Sequence, residues 1–177
     1  MKRWFPALAV AVLILAVVAG GYVVASAMSV PSGTPVEAGR VRVFPLSGWQ
    51  SREGQAAGVP AARLTRGNAN LDVLSTDAST GPELVLARYV RDVLEPAASR
   101  LSLSDSVEEV VLDSGLPGLR VAYVGSFGER NVQVEGEVTA VVSAAGTAAI
   151  FDAWGPEGLF GYVRGDTREM VTTAEVP

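Results

Sequence analysis

Apolar and polar positions change rhythm along this chain, and each rhythm predicts an element. Across residues 4–27 no charge interrupts a run rich in Ala, Val, Leu and Ile. About 20 residues at a rise of about 1.5 Å match a hydrocarbon core about 30 Å thick, where a helix is the form that satisfies its own backbone. The run is therefore expected to be a transmembrane helix, with Trp4 and Tyr22 near headgroup depth at its two ends. Lys2 and Arg3 precede it and the next cation is Arg40, which places the N-terminus in the cytoplasm and everything after the helix outside. Ala25-Ser26-Ala27 also has the form of a signal-peptide cleavage site, so cleavage after Ala27 is the competing outcome. Secretory apolar segments usually run about 7–15 residues, and the greater length here favours an uncleaved single-pass anchor in the cell membrane.

Residues 28–39 are rich in Ser, Pro and Gly without periodicity and read as a linker, so the extracytoplasmic domain is expected to occupy 40–177. Residues 40–44 alternate polar and apolar, giving a first strand that Pro45 ends. Residues 62–65 and 69–75 form a hairpin about Arg66-Gly67-Asn68, with Leu71 and Val73 on one face and Asn70 and Asp72 on the other. Ser79-Thr80-Gly81-Pro82-Glu83 opens a helix whose apolar face is Leu86, Tyr89, Val90, Val93 and Leu94, and Pro96 closes it.

Two strands follow at 107–112 and 119–124, with Gly125-Ser126-Phe127-Gly128 read as a hairpin turn. The longest strand is expected at 132–143, with Val132, Val134, Gly136, Val138, Ala140 and Val142 facing inward. Gln133, Glu135, Glu137, Thr139 and Ser143 take the other face. A largely buried strand at 148–154 and a helix from Pro156 onward, interrupted by Gly161 and Gly165, complete the chain. Strands in hairpins, two helices and no repeated βα unit predict an α+β fold with a mainly antiparallel sheet.

Composition narrows the chemistry. There is no histidine and no cysteine, which excludes Ser-His-Asp and Cys-His nucleophiles, nitrogen and sulfur zinc sites, disulfides and thioether lipidation. The net charge is −5 even with Lys2 and Arg3 counted, so nucleic acid is not an expected partner.

The order of elements, together with Phe44-Pro45-Leu46-Ser47-Gly48-Trp49 and Gly115-Leu116-Pro117-Gly118-Leu119-Arg120 leading into Tyr123, resembles the PsbP-like α/β/α sandwich domains. The resemblance covers roughly 40–176 and extends to the membrane-anchored and LpqN-type members of actinobacterial envelopes. It implies a twisted antiparallel sheet between helices, used for binding or assembly rather than catalysis, and it carries over no functional residue. Unlike the lipoprotein members, this chain has no cysteine to lipidate.

Candidate sites are few. Trp49, Trp154, Phe160 and Tyr162 are expected to gather at one end of the sheet as a binding groove for an envelope protein, peptide or glycan. No catalytic residue, cofactor or metal ligand is assigned. The spacing of Asp105, Glu108, Glu109 and Asp113 does not fit a calcium loop and reads as surface charge. The expected role is thus a non-enzymatic binding or assembly module. The alternative is a carboxylate-dependent hydrolase acting on envelope glycans, using Glu135 with Glu137 or Asp152 with Glu157 about 5–10 Å apart.

Overall fold

A computed structural model describes residues 34–56, 59–128 and 132–177. The expected transmembrane helix and its cleavage site lie outside these residues, and among the described residues no helix is long and apolar enough to cross a membrane.

The sequence expectation of an α+β fold holds. β1 (Val36–Ala38) and β2 (Val41–Val43) form a small antiparallel hairpin. The main sheet contains β3 (Gln50–Ala56), β4 (Val59–Arg66), β5 (Ala69–Asp77), β6 (Ala98–Leu103), β7 (Glu108–Val111), β8 (Pro117–Phe127), β9 (Val132–Val142) and β10 (Thr147–Pro156). Its order is β3-β4-β5-β10-β9-β8-β6, with β7 pairing the first residues of β8, and all pairs are antiparallel. The helix α1 (Pro82–Tyr89) runs on through a π turn at Val90–Leu94 and a last turn at Glu95–Ala97. A 3-10 turn at Phe160–Tyr162 leads into α2 (Arg164–Thr172).

The sheet is the middle layer of three, because its strands alternate apolar residues towards both faces. On one face Val121, Tyr123, Val138, Ala140, Ala148 and Ile150 pack under Val85, Leu86, Tyr89, Val90 and Leu94 of the first helix. On the other, Leu64, Leu71, Val73, Val141, Ala149, Phe151 and Ala153 pack with Met170 and Val171 of α2 and with the β1–β2 hairpin.

Five expectations are corrected. The folded unit begins before Arg40: Val36 and Ala38 are buried in the α2-side core, so the end of the expected linker is a strand. β3 went unseen because its seven residues are all exposed and show no apolar alternation; a full backbone ladder to β4 makes it a strand. β6 was missed for a similar reason, with Arg100 and Ser102 pairing β8 through the backbone. That pairing also keeps Gly125, Ser126 and Phe127 inside β8, so the turn begins only at Gly128, whose φ is 69°. Finally, β10 extends to Pro156, opposite Val134, which delays the closing helix to Arg164.

Candidate functional site

Register across the sheet assembles a polar row on the α1 face. Arg63 of β4 pairs with Asp72 of β5, and Asp72 pairs with Asp152 of β10. Directly opposed residues have Cβ atoms about 4.5–5.5 Å apart, so two carboxyl groups are set side by side in the interior of the sheet. Their surroundings differ. Asp72 binds Arg63 through both oxygens, at 2.5 and 2.9 Å, and accepts a third bond from the Trp154 indole N–H at 3.0 Å. Among the described residues no arginine is bonded to Asp152. Its two oxygens accept from the hydroxyls of Tyr89 and Tyr123, each at 2.8 Å, and the residue is only 4% exposed.

Burial disfavours a charged carboxylate, and it pushes the Asp152 carboxyl up to about 7, against the opposing pull of the two tyrosine hydroxyls. Burial first, and then the neighbouring Asp152 charge, also drive both phenols well above the ordinary tyrosine range. The bonds it donates to Asp72 hold the Arg63 guanidinium above its ordinary value.

This row lies in a cleft of about 550 Å³ between the first helix, the sheet and the β3–β4 hairpin. Val93, Leu94, Phe127, Val134 and Leu74 supply apolar wall, and the rings of Tyr89, Tyr123 and Trp154 also line it. Arg52 and Glu53 stand on the β3 side. A mostly apolar enclosure of roughly 300–1,000 Å³ with a few convergent polar groups is the usual form of a small-molecule site.

A second polar cluster occupies the α2 face. Glu137, 4% exposed, accepts two bonds from Arg168 at 2.9 and 2.8 Å and also pairs with Arg164 at 3.1 Å and Arg120 at 3.8 Å. Glu108 pairs with Arg168 and Arg120, and the Arg120 Nε donates to Thr139 at 3.1 Å. Burial, followed by the charge of Arg168, lowers the Arg120 guanidinium from its ordinary value. Of the polar face expected for β9, Glu137 and Thr139 are thus buried beside α2 while Gln133 stays exposed, and Glu108 is a partner in that network rather than idle surface charge.

The expected aromatic groove does not assemble, because the sheet divides its members. Trp154 lines the cleft on the α1 face. Trp49 and Phe160 belong to the core on the other face, where the Trp49 indole donates to Asp166 and the Arg164 guanidinium lies 5.4 Å from the centre of the Phe160 ring. Tyr162 is 85% exposed. The carboxylate pairs are rearranged too: Glu137 is committed to arginines and Glu157 is exposed, while the true neighbour of Asp152 is Asp72. Tyr89, Tyr123, Asp72 and Arg63 were missed as site residues. Their one visible signal was a charge at position 152 inside an otherwise apolar strand.

No family model matches the chain, and no curated protein matches it in sequence. Among solved structures the chain is similar to cyanobacterial PsbP (CyanoP) from Synechocystis sp. PCC 6803, with a TM-score of 0.56 and 16% identity over 78% of this chain and 87% of that one. It is also similar to a protein of unknown function from Pseudomonas aeruginosa, with a TM-score of 0.48 and 14% identity over 81% and 96% of the two chains. The first likeness defines the class: a PsbP-like α+β fold with a mainly antiparallel sheet.

Proposed function

We propose that this chain is a binding module, tethered to a membrane by its N-terminal apolar run, held outside the cytoplasm and serving an envelope partner in the manner of the LpqN-type domains. The cleft between the first helix and the sheet is its ligand site. The observation that carries the reading is the combination of about 550 Å³ of largely apolar enclosure with polar groups concentrated on its floor. Binding without chemistry is favoured because Asp72, the carboxyl facing Asp152, is already committed to Arg63 and Trp154. The uncharged run at 4–27 after Lys2 and Arg3 supports the tether and its orientation.

The test uses the full chain in lipid nanodiscs with cyclohexylmethanol as a small neutral probe, followed by saturation-transfer NMR with empty nanodiscs subtracted. Saturable binding is expected, weakened at least fivefold by Val93→Trp, which obstructs the cleft from a position 45% exposed and so disturbs little of the core. Absence of saturable binding, or binding indifferent to Val93→Trp, overturns the site. A reporter enzyme fused after Pro177 that is active only outside the cytoplasm tests the orientation.

A second reading, hydrolysis on paired carboxylates, rests on the facing Asp72 and Asp152. Release of p-nitrophenol from p-nitrophenyl glycosides, abolished by Asp152→Asn, is its signature.

A further inference from the structure

The cleft's floor has a specific electrostatic character. Arg63 is bound by both oxygens of Asp72, so the one cation near the floor among the described residues is already committed. Arg52, the other guanidinium on the lining, belongs to β3, three strands from β10. At about 4.8 Å per strand its backbone is roughly 14 Å from that of Asp152. Glu53 on the same strand adds a further acid to the lining. Asp152 is therefore a buried carboxyl whose bonded partners are two neutral hydroxyls, and burying an ionised carboxylate without a cation is costly.

Around it stand rings. Tyr89, Tyr123, Trp154 and Phe127 all line the same cleft, and Tyr123 and Phe127 meet edge to face with centroids 6.0 Å apart. Aromatic rings attract a cation within about 6 Å, most strongly where water is excluded. The arginine already seated 5.9 Å from the Trp154 ring centre shows that one wall of the cleft accepts a cation in this way.

Resting on the binding reading above, we infer that the ligand of this cleft is an amine: a protonated primary or secondary ammonium on a compact apolar body, with the cation beside Asp152 and the body against Trp154, Phe127 and Val93. The ammonium supplies the countercharge that the fold withholds from Asp152, and its N–H groups donate to lone pairs the tyrosine hydroxyls leave open. The apolar walls take the rest of the molecule out of water.

The groups facing Asp152 fix the pH behaviour. Tyr89 and Tyr123 stay neutral throughout the ordinary range, Arg63 stays charged and bound to Asp72, the acid that faces Asp152 from β5, and an alkylammonium keeps its proton to about pH 10. Asp152 is then the group that titrates, near 7, and taking up a proton removes the charge the ammonium seeks. Affinity should rise with pH between about 5.5 and 8, by on the order of tenfold.

Calorimetry on the full chain in nanodiscs, with cyclohexylmethylamine, cyclohexylmethanol and cyclohexanecarboxylate compared at pH 8, tests this. The three share one ring and differ in the head group. The amine is expected to bind at least tenfold more tightly than the alcohol or the acid, and Asp152→Asn is expected to erase that preference. If the alcohol binds as well as the amine, or the amine advantage survives in Asp152→Asn, the amine inference fails and the cleft remains a binding site. Tighter binding of the carboxylate overturns the inference in favour of an anion at Arg52 or Arg63. If none of the three binds, the amine inference and the binding-site reading fall together.

Discussion

Tyr123 reaches Asp152 by passing over Gly136. The two are directly paired across β8 and β9, and a Cβ built on Gly136 would stand 2.7 Å from the tyrosine hydroxyl and 2.6 Å from the Ala153 carbonyl oxygen. No real Cβ tolerates such contacts, so the missing side chain at 136 gives the phenol its path to the carboxyl.

Gly136→Ala therefore displaces either the Tyr123 ring or the β10 backbone. The ring can move, but the carbonyl cannot without disturbing the sheet. A loss of about 1–3 kcal/mol is expected, read as a lower urea midpoint with an unchanged slope. An unaltered midpoint would show that the sheet absorbs a methyl group at this position.

Asp152 gives the fold an unusual dependence on pH. Its carboxyl has a reference value of 3.8 and is raised to about 7 in the folded chain. Between those values the folded state keeps a proton that the unfolded state has released, so this group's contribution to stability is full below about pH 4, declines as pH rises, and is lost above about 7. Asp152→Asn should flatten that decline and add on the order of 1–3 kcal/mol at pH 8. Denaturant titrations of both proteins at pH 5 and pH 8 measure it, and parallel pH dependences would contradict the assignment.

Tyr89→Phe removes the donor to one oxygen of Asp152. That bond favours the ionised carboxyl, so its loss should raise the Asp152 titration further. A carboxyl carbon resonance followed by NMR should move its midpoint to higher pH, and destabilisation of about 1–2 kcal/mol should be greater at pH 8 than at pH 5.

On the opposite face, Glu137→Gln leaves the buried Arg120 with Glu108 as its remaining carboxylate and takes the bidentate partner from Arg168. Uncompensated buried charge is costly, and a loss of about 3 kcal/mol is expected in chemical denaturation. Arg168→Lys keeps the charge but loses the two-pronged bond, so a smaller loss should follow. Equal losses would mean that charge alone, without the paired geometry, holds α2 down.

Much of the architecture was legible because it depends on local periodicity. The strand expected at 132–143 is β9 but for its last residue, Ser143, and its two faces divide as alternation requires. Pro82 opens the first helix where expected, since its fixed φ and missing N–H suit a first turn. Pro96 lies in that helix's last turn, and the preceding Glu95 N–H bonds back to the Val90 carbonyl in the wider π spacing before the chain leaves as β6. Strands without apolar alternation, β3 and β6, were invisible because neighbouring backbone rather than side-chain pattern creates them.

The site was barely legible. Alternation along 69–77 and 147–156 settles that Asp72 and Asp152 lie opposite in sense to their apolar neighbours, a property of each strand alone. Whether those two carboxyls meet depends on register between β5 and β10, which are some seventy residues apart in a chain of 177. The same holds for the burial of Glu137, whose polar face became interior because α2 folded over it, and for the separation of Trp154 from Trp49 by the thickness of a sheet. Covalent neighbours specify which way a side chain points; long-range backbone pairing decides what it finds there.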